Sequence, residues 1–189
     1  MKIILCTKND LLGNIAVNRF MAGWPGRDLM LCLSDKTRPV ELHDRNLNLL
    51  KALERDLPNT ILFPLLEATA SERAGRYLTF RELAAQTSGG LHRVATLKDE
   101  ATQTLFREFM QDLILSVRFS HIFPESYLTI PRHGIINIHP GILPHYGGLF
   151  AVFRQMLNGE AEVGCTVHYI DRGIDTRSEE HTSELQSPC

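Results

Sequence analysis

Asn137 and His139 stand two residues apart at the end of an apolar run, Gly134-Ile135-Ile136-Asn137-Ile138-His139. In a β-strand, positions i and i+2 share a face, so the amide and the imidazole are expected to point into one site. The run opens into Pro140-Gly141-Ile142-Leu143-Pro144-His145-Tyr146-Gly147-Gly148, a loop stiffened by two prolines. Further along come Gly164-Cys165-Thr166-Val167-His168-Tyr169-Ile170 and then Asp171-Arg172-Gly173-Ile174-Asp175. An amide donor, an imidazole and a late carboxylate are the groups that stabilise a tetrahedral oxyanion and move a proton beside it. Taken singly, Asn137 also reads as a strand-end residue bonding a turn and His139 as a satisfied core histidine; the ordered combination favours chemistry. His139, His145, His168 and Asp175 are nominal metal ligands as well. No close His-x-x-x-His pair exists, and His139 and His145 flank the two-proline loop, so no metal site is expected.

These groups need a sheet to present them. Strand-like apolar runs are expected at 2–7, 28–33, 60–65, 112–118, 134–139 and 163–170. Helical spacing covers 11–22, with Leu12, Ile15, Ala16 and Phe20 inward and Gly23 as the cap. It also covers 40–57, with Leu42, Leu49, Leu50 and Leu53 on one stripe, and 99–110, with Leu105, Phe106 and Phe109 inward. A short helix starts at Pro124, a position that suits a first turn, and another spans 149–157 and closes at Asn158-Gly159. Residues 71–90 are ambiguous, with a helical turn at 80–85 and a loop at Ser88-Gly89-Gly90. Strands alternating with helices predict an α/β fold: a Rossmann-like, mostly parallel open sheet with helices on both faces.

The chain has 189 residues, enough for one domain with a full core. Hydrophobic residues make up 43% and charged residues 22%, an ordinary globular balance, and the net charge of −2 gives no DNA-binding footprint. No apolar run reaches the roughly 18 residues that span a bilayer, and the start is too short for a secretory signal. Cys6, Cys32 and Cys165 lie in apolar runs without metal-ligand spacing and are expected as buried thiols of a cytoplasmic protein.

Residues 177–189, RSEEHTSELQSPC, are polar, lack periodicity and break off a motif in mid-phrase. RSEEHTSELQS resembles the translation of a common sequencing adaptor. The expected organisation is therefore a catalytic domain at 1–176, truncated at its C-terminus, and a non-native tail at 177–189. Setting the tail aside removes Arg177 against Glu179, Glu180 and Glu184 and takes the net charge from −2 to zero.

The constellation resembles the folate-dependent formyltransferase family, the catalytic domain shared by glycinamide ribonucleotide, methionyl-tRNA and amino-sugar formyltransferases. Its pattern, roughly N-I-H-x-S-L-L-P-x-[YFW]-x-G, then G-x-[TS]-x-H, then D-x-G-x-D-x-G, is met here by Asn137, His139, Leu143, Pro144, Tyr146 and Gly148, by Gly164, Thr166 and His168, and by Asp171, Gly173 and Asp175. The firm match covers about 112–176. Two positions depart from it: Gly141 stands where serine is expected, and Arg177 where glycine is expected.

The resemblance implies formyl transfer from 10-formyltetrahydrofolate to an amine of a small metabolite, such as a nucleotide-linked amino sugar. Asn137 and a protonated His139 would face the formyl oxygen. Asp175 would hold the charge on His139 and take the amine's proton. Ser120-His121-Ile122-Phe123 aligns with the family's folate-binding loop, whose backbone bonds the pterin; the other reading is an ordinary strand-to-helix turn. His168 either faces the site or packs as a strand histidine. Lys8 and Asn9 follow the first strand, where they either contact a phosphate or sugar or form a solvated loop. The loop Cys6 to Asn14 lacks the glycine run that would cradle a phosphate, which argues against glycinamide ribonucleotide. A tRNA acceptor is implied only if the native gene continues into a C-terminal RNA-binding domain. A 10-formyltetrahydrofolate hydrolase is disfavoured because this chain starts directly with a strand, and a non-catalytic folate-binding module is the rival outside enzymes.

Overall fold

Both faces of the first strand, β1 (Ile3–Lys8), are covered: Ile3, Ile4, Leu5 and Cys6 are each at most 2% exposed. A strand with helices on both sides has no polar face to alternate with, so its sequence reads as one apolar run. Ile3 and Leu5 join a core with Val17 of α1 (Leu11–Gly23), Phe63 and Phe80. Ile4 and Cys6 join a second core on the other face with Phe106, Ile114 and Tyr127.

The computed structural model describes residues 1–37, 39–69 and 77–171. In it, β1 pairs in parallel with β2 (Leu29–Ser34) and, on its other side, with β4 (Leu113–Val117). The sheet extends to β3 (Leu91–Val94) beyond β2, and to β5 (Ile135–His139) and β6 (Thr166–Tyr169) beyond β4. The order is β3-β2-β1-β4-β5-β6, and β6 alone among these pairings runs antiparallel, against β5. The chain departs from β1 in opposite directions towards β2 and β4. The strand order reverses between β1 and β4, and in such sheets the crevice outside the carboxyl ends at that point is the usual binding place.

Helix starts follow local chemistry. The carboxylates of Asp10, Asp44 and Asp99 accept a backbone N–H in the first turn of α1, of α3 (Arg45–Lys51) and of α6 (Glu100–Phe109). Thr79 and Glu82 form a reciprocal capping box on α5 (Phe80–Ala84). Met110 ends α6 at φ 50°.

The expected strand at 60–65 does not exist. Residues 45–68 run helically through α3, two π-helical turns (Ala52–Asp56 and Pro58–Leu62) and α4 (Phe63–Ala68), following α2 (Pro39–His43). A short apolar run cannot be told from a helix by composition. Here Phe63 alone of Ile61, Phe63 and Leu65 turns inward, onto Phe80 at a centroid distance of 5.9 Å, and its two neighbours are about 60% exposed. The third sheet strand is β3, within a segment whose pattern is too short and polar to stand out.

Three further expectations change. The stripe Leu42, Leu49, Leu50 and Leu53 faces outward. In α1 the buried positions are Gly13, Asn14 and Val17, and Leu12 and Ile15 are exposed. Cys165 is exposed, as are Val167 and Tyr169 at the alternate positions of β6 that follow it. Cys6 and Cys32 are buried register partners across β1 and β2, and burial pushes the Cys6 thiol well above its usual range. Pro124 sits at the N-cap of α7 (Glu125–Leu128), just before the first turn, and the helix expected from 149 is α8 (Ala151–Leu157). The expected tail at 177–189 lies outside the described residues.

Tyr127 is fully buried between Phe106 and Phe123, and its hydroxyl has no hydrogen-bond partner among the described residues. Burial pushes that hydroxyl's pKa up to about 12. Removing an unsatisfied buried group relieves its desolvation cost. Tyr127→Phe is expected to raise stability by about 1 kcal/mol, read as a higher denaturant midpoint; a lower midpoint would show that the hydroxyl is satisfied in solution.

Candidate active site

β5 carries Asn137 and His139 on the face that also buries Ile135. The antiparallel neighbour β6 sets His168 opposite Asn137 and Thr166 opposite His139. The Asn137 amide, Nδ2, donates to His168 Nε2 at 3.2 Å, and His168 Nδ1 donates to the carbonyl of Tyr169 at 3.1 Å. An amide carries two hydrogens, so the His168 contact uses one of them.

His139 is buried, and its Nε2 lies 2.8 Å from the carbonyl oxygen of Tyr146. A carbonyl can only accept, so Nε2 carries the proton and Nδ1 is the ring's second position. Nδ1 accepts when the ring is neutral and donates when the ring is an imidazolium.

The loop that supplies this carbonyl is tied down at several points. The Thr166 hydroxyl donates to Gly141 O at 2.8 Å and accepts from Leu143 N at 3.0 Å. Gln155 of α8 is fully buried and bonds both the N–H and the C=O of Gly164, which fixes the entry to β6. Arg154 Nε donates to Leu149 O at 3.1 Å and its Nη2 to Gly147 O. The Tyr146 hydroxyl donates to the Glu160 carboxylate and accepts from Asn158 Nδ2. The nearby carboxylate raises that hydroxyl above the ordinary tyrosine range.

At the crevice, the loops after β1 and β4 are joined by an ion pair between Asp10, which is buried, and Arg118 at 2.9 Å. Arg118 adopts φ 58° and also reaches Glu54 at 3.5 Å. In the sequence Arg118 is a charge that ends an apolar strand, a signal that assigns it no role. Lys8 pairs with Glu41 at 3.2 Å, and the Asn9 amide donates to Asp35 at 2.7 Å. Both residues lie on the crevice side of β1 but are engaged by protein carboxylates.

In the loop after β4, Ser120 N donates to Ser34 Oγ at 3.0 Å and His121 Nε2 donates to Val94 O at 3.0 Å. Phe123 is buried and stacks on Phe119, while Ile122 is exposed. Asn137, His139 and His168 are thus brought together; Lys8, Asn9 and residues 120–123 lie along the same carboxyl edge of the sheet. Asp175 lies outside the described residues.

Two measurements test this packing. A Cβ at Gly141 would come within 2.5 Å of Ala151 Cβ and 2.7 Å of Tyr146 O, so the serine of the family pattern does not fit this loop unmoved. Gly141→Ser is expected to lower stability by about 1–3 kcal/mol in denaturant titration; an unchanged midpoint would mean the loop yields freely. Burial holds the His121 imidazole below its ordinary value of 6.5. The unfolded chain then binds the proton more readily, so stability is full above about pH 6.5 and falls as pH drops through the unfolded and then the folded value. In His121→Gln that acid-side slope is expected to flatten, and a slope equal to the parent's would assign it to other groups.

The sequence profile of the family described as Formyl transferase matches residues 58–178. Over 70 residues the chain is 49% identical to the methionyl-tRNA formyltransferase of Geobacter metallireducens, covering 37% of this chain and 22% of that protein. Over 94 residues it is 38% identical to the methionyl-tRNA formyltransferase of Nitrosomonas eutropha, covering 50% and 30%. The matched stretches therefore span less than a third of these curated relatives. Among solved structures, a phosphoribosylglycinamide formyltransferase from Anaplasma phagocytophilum is similar with a TM-score of 0.54 over 93% of this chain and 67% of that one. At 21% identity this likeness shows a shared fold. The family profile covers well over half of the sequence, and the chain belongs to the formyl transferase family.

Proposed function

We propose that the protein transfers a formyl group from 10-formyltetrahydrofolate to a primary amine, with Asn137, His139 and Asp175 as its catalytic residues. The observation that carries this reading is the pairing of Asn137 and His139 on one face of β5, with His139 Nε2 held by a backbone carbonyl. The amine nitrogen attacks the formyl carbon, the carbon–oxygen double bond opens, and negative charge gathers on the oxygen. The Asn137 amide donates to that oxygen. With Nε2 committed to Tyr146, the His139 ring contributes a second donor from Nδ1 only as an imidazolium, which gives a neighbouring carboxylate its role. Asp175 accepts the amine's proton and returns it, directly or through water, to N10 as the carbon–oxygen double bond re-forms and the carbon–N10 bond breaks, releasing tetrahydrofolate. Preorganised donors of this kind are worth about 3 kcal/mol each in the transition state. The folate lies along Ser120 to Phe123, where the exposed Ile122 offers an apolar contact and the backbone offers polar ones.

The acceptor best supported is methionyl-tRNA, the substrate in the names of the curated relatives at 49% and 38% identity. A small amine such as a nucleotide-linked amino sugar is the other acceptor class, and Lys8 and Asn9 are the residues that would contact it. Engagement of both by Glu41 and Asp35 favours the tRNA reading.

The test supplies 10-formyltetrahydrofolate with methionyl-tRNA, nucleotide-linked amino sugars or glycinamide ribonucleotide and follows tetrahydrofolate release. Release that depends on an amine is expected. Release without one indicates a hydrolase, and folate binding with no release indicates a binding module. His139→Ala is expected to lower the rate by roughly 100-fold or more while sparing folate affinity; a variant that keeps its turnover sinks the catalytic assignment.

A further inference from the structure

We propose that Glu160 is a positioning residue for His139, acting through the side chain and then the backbone of Tyr146. This inference rests on His139 being the working imidazole of the site. Tyr146 has two ends. Its carbonyl accepts the His139 Nε2 proton at 2.8 Å, and its hydroxyl donates to Glu160 and accepts from Asn158 Nδ2 at 3.1 Å. The ring between them is buried, and the Arg154 guanidinium lies 5.9 Å from its centroid.

The far end of this linkage is the turn after α8. Gly159 takes φ 72°, and Glu160 N donates back to Gln155 O at 3.1 Å, so the carboxylate is presented from a fixed turn. Gln155 also holds Gly164 at the entry to β6, and β6 supplies Thr166, which clamps Gly141 and Leu143. The same helix end thus controls both sides of the loop that faces His139. Any aromatic ring can fill the space of Tyr146. The hydroxyl adds a polar anchor at the tip of the side chain, and a residue held both there and at its carbonyl turns less freely. The consequence is a single tautomer: while Tyr146 O stays in place, the neutral His139 ring keeps its proton on Nε2 and presents Nδ1.

The experiment reads the tautomer directly on the protein, by long-range proton–nitrogen correlation at about pH 9, where imidazoles are neutral. His139→Asn assigns the signals by their loss. The parent is expected to show one tautomer, with the proton on Nε2. Tyr146→Phe and Glu160→Ala are expected to show a mixture, and Glu160→Gln, which keeps an acceptor oxygen, to restore the single form. Backbone amide spectra unchanged outside the loop mark each variant as folded. In turnover, Tyr146→Phe and Glu160→Ala are expected to lose roughly tenfold in kcat with folate KM within about twofold. A single Nε2–H tautomer in both variants overturns the proposal, as does a Gln variant indistinguishable from Ala. The tautomer readout needs no turnover: a shift in a protein without transferase activity supports the linkage and counts against the functional reading alone.

Discussion

Burial of β1 on both faces is the constraint from which the rest of this structure follows. Each fully buried Ile or Leu contributes about 1.5–3 kcal/mol by leaving water, and β1 places its side chains in two separate cores. That stabilisation requires helices above and below and neighbours on both edges. With β2 on one side and β4 on the other, the chain must reverse its winding at β1. The crevice at the carboxyl edge is the geometric result of that reversal, and the Asp10–Arg118 ion pair bridges the two loops there.

The site itself hangs on the far half of the sheet. β5 presents Asn137 and His139, but their orientations come from groups outside β5. His168 reaches Asn137 because β6 runs antiparallel, and Tyr146 reaches His139 because the loop folds back over the strand end. Thr166 and Gln155 hold that loop by backbone groups. Side chains bonded to backbone fix position without adding charge, which leaves the polarity of the candidate site on β5 and β6 to the Asn137 amide and the two imidazoles.

Much of the fold was legible because its signals were local. β1, β2, β4 and β5 are apolar runs bounded by charge or glycine, and α6 carries both an aspartate cap and a clear inward face at Phe106. The failures share one cause. Residues 60–65 contain the same residue types as a strand, and only contact with Phe80 decides that Phe63 turns inward on a helical period. The stripe at Leu42 to Leu53 has helical spacing but lies outward, since spacing states that a face exists and not which way it looks. Cys165 follows the same logic at the entry to β6.

The sequence by itself determined which residue types stand in the candidate site, the order of the motifs and the α/β class, because these depend on chemistry and short-range periodicity. Tertiary structure decided which nitrogen of His139 is committed, that His168 is the partner of Asn137, that Lys8 and Asn9 are engaged by Glu41 and Asp35, and that Gly141 has no room for a side chain. Each of these depends on a group from another element or from a folded-back loop reaching hydrogen-bond or van der Waals distance. Such distances are set by how the sheet and its loops pack, and no local pattern encodes them.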